Sequence, residues 1–145
     1  MRISAKGRYA LAAMIFMVNS RMDDEPITVN RISSELGISK IYLEQVFALL
    51  KKGGFVKSIK GAQGGYFLCD NAQGVTAYDI MQAVEGALFE GSQERVMEQA
   101  SGIDAVINDY VLETADEAIR KTLNRVTLQD LALKARADQA PMYYI

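Results

Sequence analysis

The feature that most restricts the fold of this chain is a pair of short amphipathic helices joined by only three residues, Gly37-Ile38-Ser39. Thr28 is suited to cap the first helix, and Gly37 to end it in the left-handed conformation. Ser39 is suited to cap the second helix, which runs to about Lys52 with apolar residues at helical spacing. This arrangement is typical of a helix-turn-helix, whose second helix lies in the major groove of DNA.

A glycine-rich turn follows this helix pair. The segments 55–60 and 66–69 have the composition of short strands, and three of the five residues between them are glycines. Glycine lets a backbone adopt positive φ and approach a partner closely. We therefore predict a β-hairpin wing that contacts phosphates or the minor groove. Its candidate contact residues are Lys60, Gly61, Gln63 and Gly64.

Capping signals predict three further helices. Ser4 is suited to cap a helix that precedes the helix pair and ends near Asn19. Thr76 and Thr127 are each followed three residues later by an aspartate. That pattern resembles a capping box, so it predicts a helix beginning after each threonine.

A long amphipathic helix is predicted from about Ile103 to Val126, because apolar residues recur there at spacings of three and four. It is too long to be buried by its own small domain, so we expect it to pair with a second copy around a two-fold axis. The predicted fold is mainly α with a small β-wing. A winged helix-turn-helix domain covers residues 1–88, and a dimerisation helix with a C-terminal tail covers residues 89–145.

Charge is distributed unevenly along the chain. Residues 1–66 hold ten lysines and arginines against five acidic residues, whereas the remainder holds six against thirteen. A basic half is suited to approach phosphates, and an acidic half is repelled by them. The two halves are therefore expected to have different roles, with double-stranded DNA as the partner of the first.

The residue inventory excludes several classes of site. The chain has one cysteine, Cys69, and no histidine, which rules out internal disulfides, Cys/His zinc sites and histidine-based triads. No paired acidic motif stands beside a glycine-rich cofactor loop, so neither an enzyme nor a cofactor is predicted. No segment approaches the roughly 20 apolar residues of a membrane span, and we expect a cytoplasmic protein without a membrane partner.

The outward face of the second helix of the pair carries the candidate base contacts. Gln45 is suited to pair with adenine, Glu44 to accept a hydrogen bond from cytosine N4, and Ile41 to touch a thymine methyl group. Lys40 lies on the same face. The alternative interpretation is a polar face that is merely solvated.

Other candidates would hold the DNA backbone. Lys6 and Arg8 stand at the start of the helix that Ser4 caps. Ser39 stands at a helix N-terminus whose N–H groups favour an anion. Tyr42 is open to two interpretations, a phosphate contact or a packing role. Cys69 is likewise either a small buried hydrophobe or a redox-sensitive thiol.

Three segments together resemble one protein family. They are MRISAKGRYA at residues 1–10, SKIYLEQV at residues 39–46 and KGAQGGY at residues 60–66. In order and spacing they are similar to the Rrf2 family of winged-helix transcription regulators, and the resemblance covers essentially the whole chain. It implies a homodimer that binds a palindromic operator. Lys60 stands where many members have arginine, which predicts a weaker minor-groove contact.

The resemblance also concerns iron–sulfur chemistry. Several family members hold a cluster through three cysteines before the dimerisation helix, but the corresponding region here, residues 88–103, has no cysteine. The chain therefore resembles the cluster-free CymR branch, which represses genes of cysteine metabolism. That likeness extends to the tail MYYI, residues 142–145, and implies cysteine synthase as a partner that would bind Tyr144 and the carboxylate of Ile145. The alternative is that this tail packs against the dimer partner.

Two other functions stay open beside a repressor of cysteine and sulfur metabolism genes. One is a winged helix that serves only as a protein-interaction module. The other is a cluster-free regulator that senses redox state through Cys69 or a small molecule in the dimer cleft.

Overall fold

The computed structural model describes residues 3–21, 25–62, 64–86 and 100–139. Within these ranges the chain is mainly helical, with one antiparallel hairpin, which confirms the predicted fold class. In chain order the elements are α1 (Ala5–Asn19), α2 (Val29–Leu36), α3 (Lys40–Lys52), β1 (Val56–Ile59), β2 (Gly65–Leu68), a 3-10 turn (Ala72–Gly74), α4 (Ala77–Glu85), α5 (Ser101–Ile107), a π-helical segment (Asn108–Leu112), α6 (Glu113–Asn124) and α7 (Leu128–Gln139). No helix of the described ranges combines the length and apolar character needed to cross a bilayer.

Side-chain caps begin the three N-terminal helices where the sequence predicted them. The hydroxyl of Ser4 accepts a hydrogen bond from the Lys6 N–H at 3.1 Å, and those of Thr28 and Ser39 cap α2 and α3 in the same way. Each cap satisfies one of the N–H groups that a helix start leaves without a partner. Gly37 ends α2 with a φ of 65°, which favours glycine.

One hydrophobic core holds the N-terminal helices together. α1 packs against α3, α4 and α7, and the buried faces of these helices meet in that core. Its largest fully buried side chains include Phe47, Met14, Leu43 and Ile80. α7 returns to this core, since Leu128 and Ala132 are buried in it. We call residues 3–86 of the described ranges together with α7 the head.

The wing is a short hairpin tied to the segment before α2. Its register pairs Val56 with Leu68 and Ile59 with Gly65, so each strand lies within a residue of its predicted bounds. Tyr66 exchanges two backbone hydrogen bonds of 2.9 Å with Ile27. A Cβ on Gly65 would come within 2.7 Å of the Ile27 carbonyl oxygen, so this close approach requires glycine.

α5, the π-helical segment and α6 run without a break through residues 101–124, and we call them the long helix. It begins two residues before the predicted start and contains a π-helical segment that the sequence analysis did not predict. The spacing of apolar residues by three and four does not reveal such a local widening of the helix. None of the residues 101–124 is buried.

The C-terminal half of the long helix is fastened to α4. Arg120 of α6 donates a hydrogen bond of 2.9 Å to Asp116, and its guanidinium carbon lies 6.0 Å from the ring centroid of Tyr78. The bond to Asp116 raises the pKa of Arg120 above its usual range. The hydroxyl of Thr76, the cap of α4, lies 3.0 Å from the side-chain oxygen of Asn124.

Candidate nucleic-acid interface

The exposed face of α3 contains the predicted base contacts. Leu43, Val46, Phe47 and Leu50 are buried on its inner side. The predicted residues Lys40, Ile41, Glu44 and Gln45 are all exposed, and Ile41 is 72% exposed. At 3.6 residues per turn, Ile41, Gln45, Ala48 and Lys52 lie along the line opposite the buried side. Ala48 and Lys52 are exposed and were missed, although the same periodicity points to them.

One edge of α3 faces the wing across a groove of about 530 Å³. The groove brings together Lys40 and Glu44 of α3, Lys60, Gly61 and Gly64 of the wing, and the start of α2. Lys51 and Asn30 also line it and were missed, because only the folded arrangement places them beside the wing. The surface between helix and wing therefore carries three lysines suited to DNA phosphates.

Glu44 moderates the positive charge of this groove. Its Oε1 lies 4.0 Å from Lys40 Nζ, and both side chains are about half exposed, at 54% each. A pair this exposed contributes little to stability. Glu44 places a carboxylate acceptor at the edge of the exposed face of α3, as recognition of a cytosine amino group would require.

The other edge of α3 contacts α1 through an aromatic pair. The rings of Tyr42 and Tyr9 meet edge to face, with centroids 5.3 Å apart and an angle of 86° between their planes. Tyr42 therefore has the packing role that was one of its two interpretations. It also keeps 37% of its surface exposed, so the phosphate contact stays a prediction.

The start of α1 differs from a free helix N-terminus. Oε1 of Glu85, the last residue of α4, accepts hydrogen bonds from the Ser4 N–H at 2.9 Å, the Ser4 hydroxyl at 2.7 Å and the Gly7 N–H at 3.0 Å. This carboxylate occupies the position where a phosphate would meet the helix. Lys6 and Arg8 thus have only their side chains to offer to DNA. No sequence signal pointed to Glu85.

Lys6 and Arg8 are not brought together. Two positions apart on a helix, their side chains leave α1 about 200° apart. Lys6 is half-buried, whereas the exposed Arg8 lines a largely apolar groove with Ile3, Leu11 and Ile15. The phosphate role of both residues stays a prediction.

Three predicted residues lie outside the described ranges. They are Gln63 at the wing tip, and Tyr144 and Ile145 of the tail. Cys69 lies just after β2, where it is half-buried and donates its backbone N–H to the Phe55 carbonyl at 3.0 Å. Both interpretations of this thiol stay open.

Comparison with known proteins identifies the family. The family model Rrf2, described as an iron-dependent transcriptional regulator, matches residues 3–134. The chain is 35% identical to the HTH-type transcriptional regulator CymR of Bacillus subtilis over 146 residues, covering all of both chains. It is 34% identical to IscR of Yersinia enterocolitica, covering 90% of this chain and 79% of IscR. The solved structure of B. subtilis CymR superposes with a TM-score of 0.72 at 32% identity, covering 92% of this chain and 98% of CymR.

The iron in the family's description does not fit the donors of this chain. Iron–sulfur clusters are held mainly by cysteine thiolates, and the whole sequence offers one cysteine and no histidine. Within the described ranges, no three residues of the Cys, His, Asp and Glu types cluster as metal ligands would. We therefore assign no part of DNA binding to an iron–sulfur cluster. With a family model that spans most of its length and a full-length relative at 35% identity, the chain belongs to the Rrf2 family of winged-helix transcription regulators rather than to the enzymes.

Proposed function

We propose that this regulator is a sequence-specific repressor of genes for cysteine and sulfur metabolism that binds a palindromic operator as a homodimer. The observation that carries the DNA-binding part is the exposed face of α3, which lies between a lysine-lined groove and the Tyr9–Tyr42 pair. The metabolic assignment rests on the full-length similarity to CymR, whose solved structure is named as that of the global cysteine regulator of B. subtilis.

DNA recognition follows from this surface. α3 enters the major groove, where Gln45 pairs with adenine, Glu44 accepts from cytosine and Ile41 contacts a thymine methyl group. The wing reaches the adjacent minor groove with Lys60, a weaker ligand for a narrow groove than arginine. Lys6 and Ser39 contact phosphates and set the register, which adds affinity without sequence preference.

The proposal of a homodimer rests on the exposed apolar side chains of the long helix. Ile103, Val106 and Tyr110 are 60%, 56% and 76% exposed, a pattern unsuited to a helix that meets only water. A second copy related by a two-fold axis covers them, and the same axis relates two heads and hence two operator half-sites. Residues 1–88, joined by α7, act as the DNA-binding domain, and the rest of residues 89–145 as the dimerisation region. A regulator of this kind acts in the cytoplasm.

Cysteine synthase is the proposed binding partner of the C-terminal tail, residues 142–145. In this assignment Tyr144 and Ile145 are the residues that the enzyme binds. The competing assignment, packing of the tail against the dimer partner, predicts that its truncation lowers dimer stability instead. Binding of the enzyme to full-length protein and to a variant lacking the last two residues separates the two.

The decisive experiment selects bound duplexes from a random pool and then tests Gln45→Ala on the selected sequence. We expect a palindrome, and a loss of discrimination of about 1–3 kcal/mol at one position in each half-site. Gln82→Ala, an exposed glutamine on α4, is the matched control and should leave discrimination unchanged. Absence of enrichment, together with weak binding that does not depend on salt, would instead support a protein-interaction module.

A further inference from the structure

Glu85 holds the start of α1 more firmly than an ordinary cap does. One oxygen, Oε1, accepts three hydrogen bonds of 2.7–3.0 Å from Ser4 and Gly7, although these residues lie about 80 positions away in sequence. Bonds to an ionised acceptor are stronger than those between neutral groups. The negative charge also lies at the positive end of the α1 dipole. The first turn of α1 therefore has its position set by α4.

Gly7 has the complementary feature. It is buried in the first turn of α1, and a Cβ added there would lie 2.5 Å from Glu85 Oε1. No real Cβ contact is this short, so an alanine would displace the carboxylate. The absence of a side chain at Gly7 is thus part of the site that receives Glu85.

The turn fixed by this contact leads directly into the part of α1 that contacts α3. Lys6 lies within it, and Tyr9, one turn further along α1, packs on Tyr42 of α3. Among the described residues, no carboxylate oxygen lies within 4.0 Å of Lys6 Nζ, so Lys6 forms no ion pair there. Its ammonium group stays available to a phosphate. Glu85 therefore acts on the backbone that carries Lys6 and not on its side chain.

We infer that Glu85 is a positioning residue for DNA binding, which seats the first turn of α1 so that Lys6 meets a backbone phosphate beside α3. The inference rests on the proposed phosphate role of Lys6. It assigns to the end of α4 a part in DNA affinity, although Glu85 is acidic and itself unsuited to touch DNA.

The test is a double-mutant cycle on DNA affinity and on its salt dependence. Glu85→Ala, Lys6→Ala and the double variant are compared with the unmodified dimer on the selected operator. Each single variant is expected to make the slope of log K against log [salt] less negative by about 1.8, which is one phosphate contact in each of two heads. In the Glu85→Ala background, Lys6→Ala should then cost nothing further.

Three further variants guard against a simple loss of folding. Glu85→Gln keeps the side-chain oxygen and should retain most of the salt slope. Gly7→Ala keeps both Lys6 and Glu85 but displaces the Glu85 carboxylate. It should therefore reproduce the salt slope of Glu85→Ala. The Gly7→Ala/Glu85→Ala variant should bind DNA no more weakly than Glu85→Ala alone.

Additive losses for Lys6→Ala and Glu85→Ala would overturn the inference, because an effect on general stability does not depend on Lys6. An unchanged slope in Gly7→Ala would also overturn it. If Lys6→Ala alone leaves the slope unchanged, the phosphate role in the proposed function fails, which is a distinct result.

Discussion

The head and the long helix differ in where their apolar side chains lie. In the head, residues such as Phe47, Met14 and Leu43 are completely buried, and each of the four helices α1–α4 contributes to one core. In the long helix no residue is buried, although Ile103 and Val106 are as apolar as core residues and Tyr110 is aromatic. Burial of apolar surface is the main source of stability, so the head supplies its own, whereas the apolar side chains of the long helix are left for the second chain of the proposed dimer to cover.

Truncating a core aromatic tests the head's side of this comparison and should have the largest effect. Phe47 is fully buried and its ring lies 4.5 Å from that of Tyr66, so Phe47→Ala should lower the free energy of unfolding by about 3–5 kcal/mol. Chemical denaturation measures it. The matched substitution Tyr110→Ala on the long helix should change the melting temperature only in a way that depends on protein concentration. Equal effects of both would contradict the distinction between the regions.

A charge on the long helix tests the other side. Val106→Asp places a carboxylate in the proposed dimer interface and should weaken self-association and operator binding by about 30-fold or more. Sedimentation and DNA titration measure these two quantities. Asn108→Asp adds the same charge one position beyond the apolar pair of residues 106–107 and is the control. A dimer unaffected by Val106→Asp would move the interface elsewhere.

The junction between the two regions should show an intermediate effect. The Thr76 hydroxyl caps α4, accepting from the Asp79 N–H at 3.2 Å, and also lies beside Asn124 of the long helix. Thr76→Ala should therefore lower stability by about 1 kcal/mol. Thr76→Ser keeps the hydroxyl and should recover most of this loss in a thermal melt, unless the methyl group carries the effect.

The smallest expected effect is a pH dependence at the return from the long helix to the head. The N–H and hydroxyl of Thr127 donate to Asp130 and lower the pKa of that carboxyl below its ordinary value of 3.8. A lowered pKa means that the stabilisation is present above the ordinary value and is lost as pH falls through the lowered one. Asp130→Asn should accordingly show a slightly shallower fall in melting temperature between about pH 5 and about pH 3. Asp138→Asn, an exposed position of the same helix, should match the unmodified protein.

Local signals made much of the fold predictable. The caps at Ser4, Thr28, Ser39, Thr76 and Thr127 act over three residues at most, so the sequence near each contains the whole interaction. The exposed face of α3 follows equally from a periodicity within thirteen residues. The π-helical segment was missed, because its neighbours in sequence do not distinguish it from an α-helix.

Contacts between distant parts of the chain could not be predicted in this way. The bonds of Glu85 to Ser4 and Gly7 join the last residue of α4 to the start of α1, and the pairing of Ile27 with Tyr66 joins the wing to the segment before α2. Within the site, Lys51 and Asn30 become neighbours of Lys60 only when three elements enclose the groove. Such placements depend on the tertiary packing of several helices, which no short pattern encodes.

The π-helical segment at residues 108–112 also determines how the long helix is phased. Each residue added to or removed from a helix turns everything beyond it by about 100°. A single deletion there would therefore rotate the apolar side of α5 relative to the head. It would change the residues of neither the apolar side of α5 nor the head. In the proposed dimer, the distance between the two operator half-sites is thereby linked to one residue of helical register.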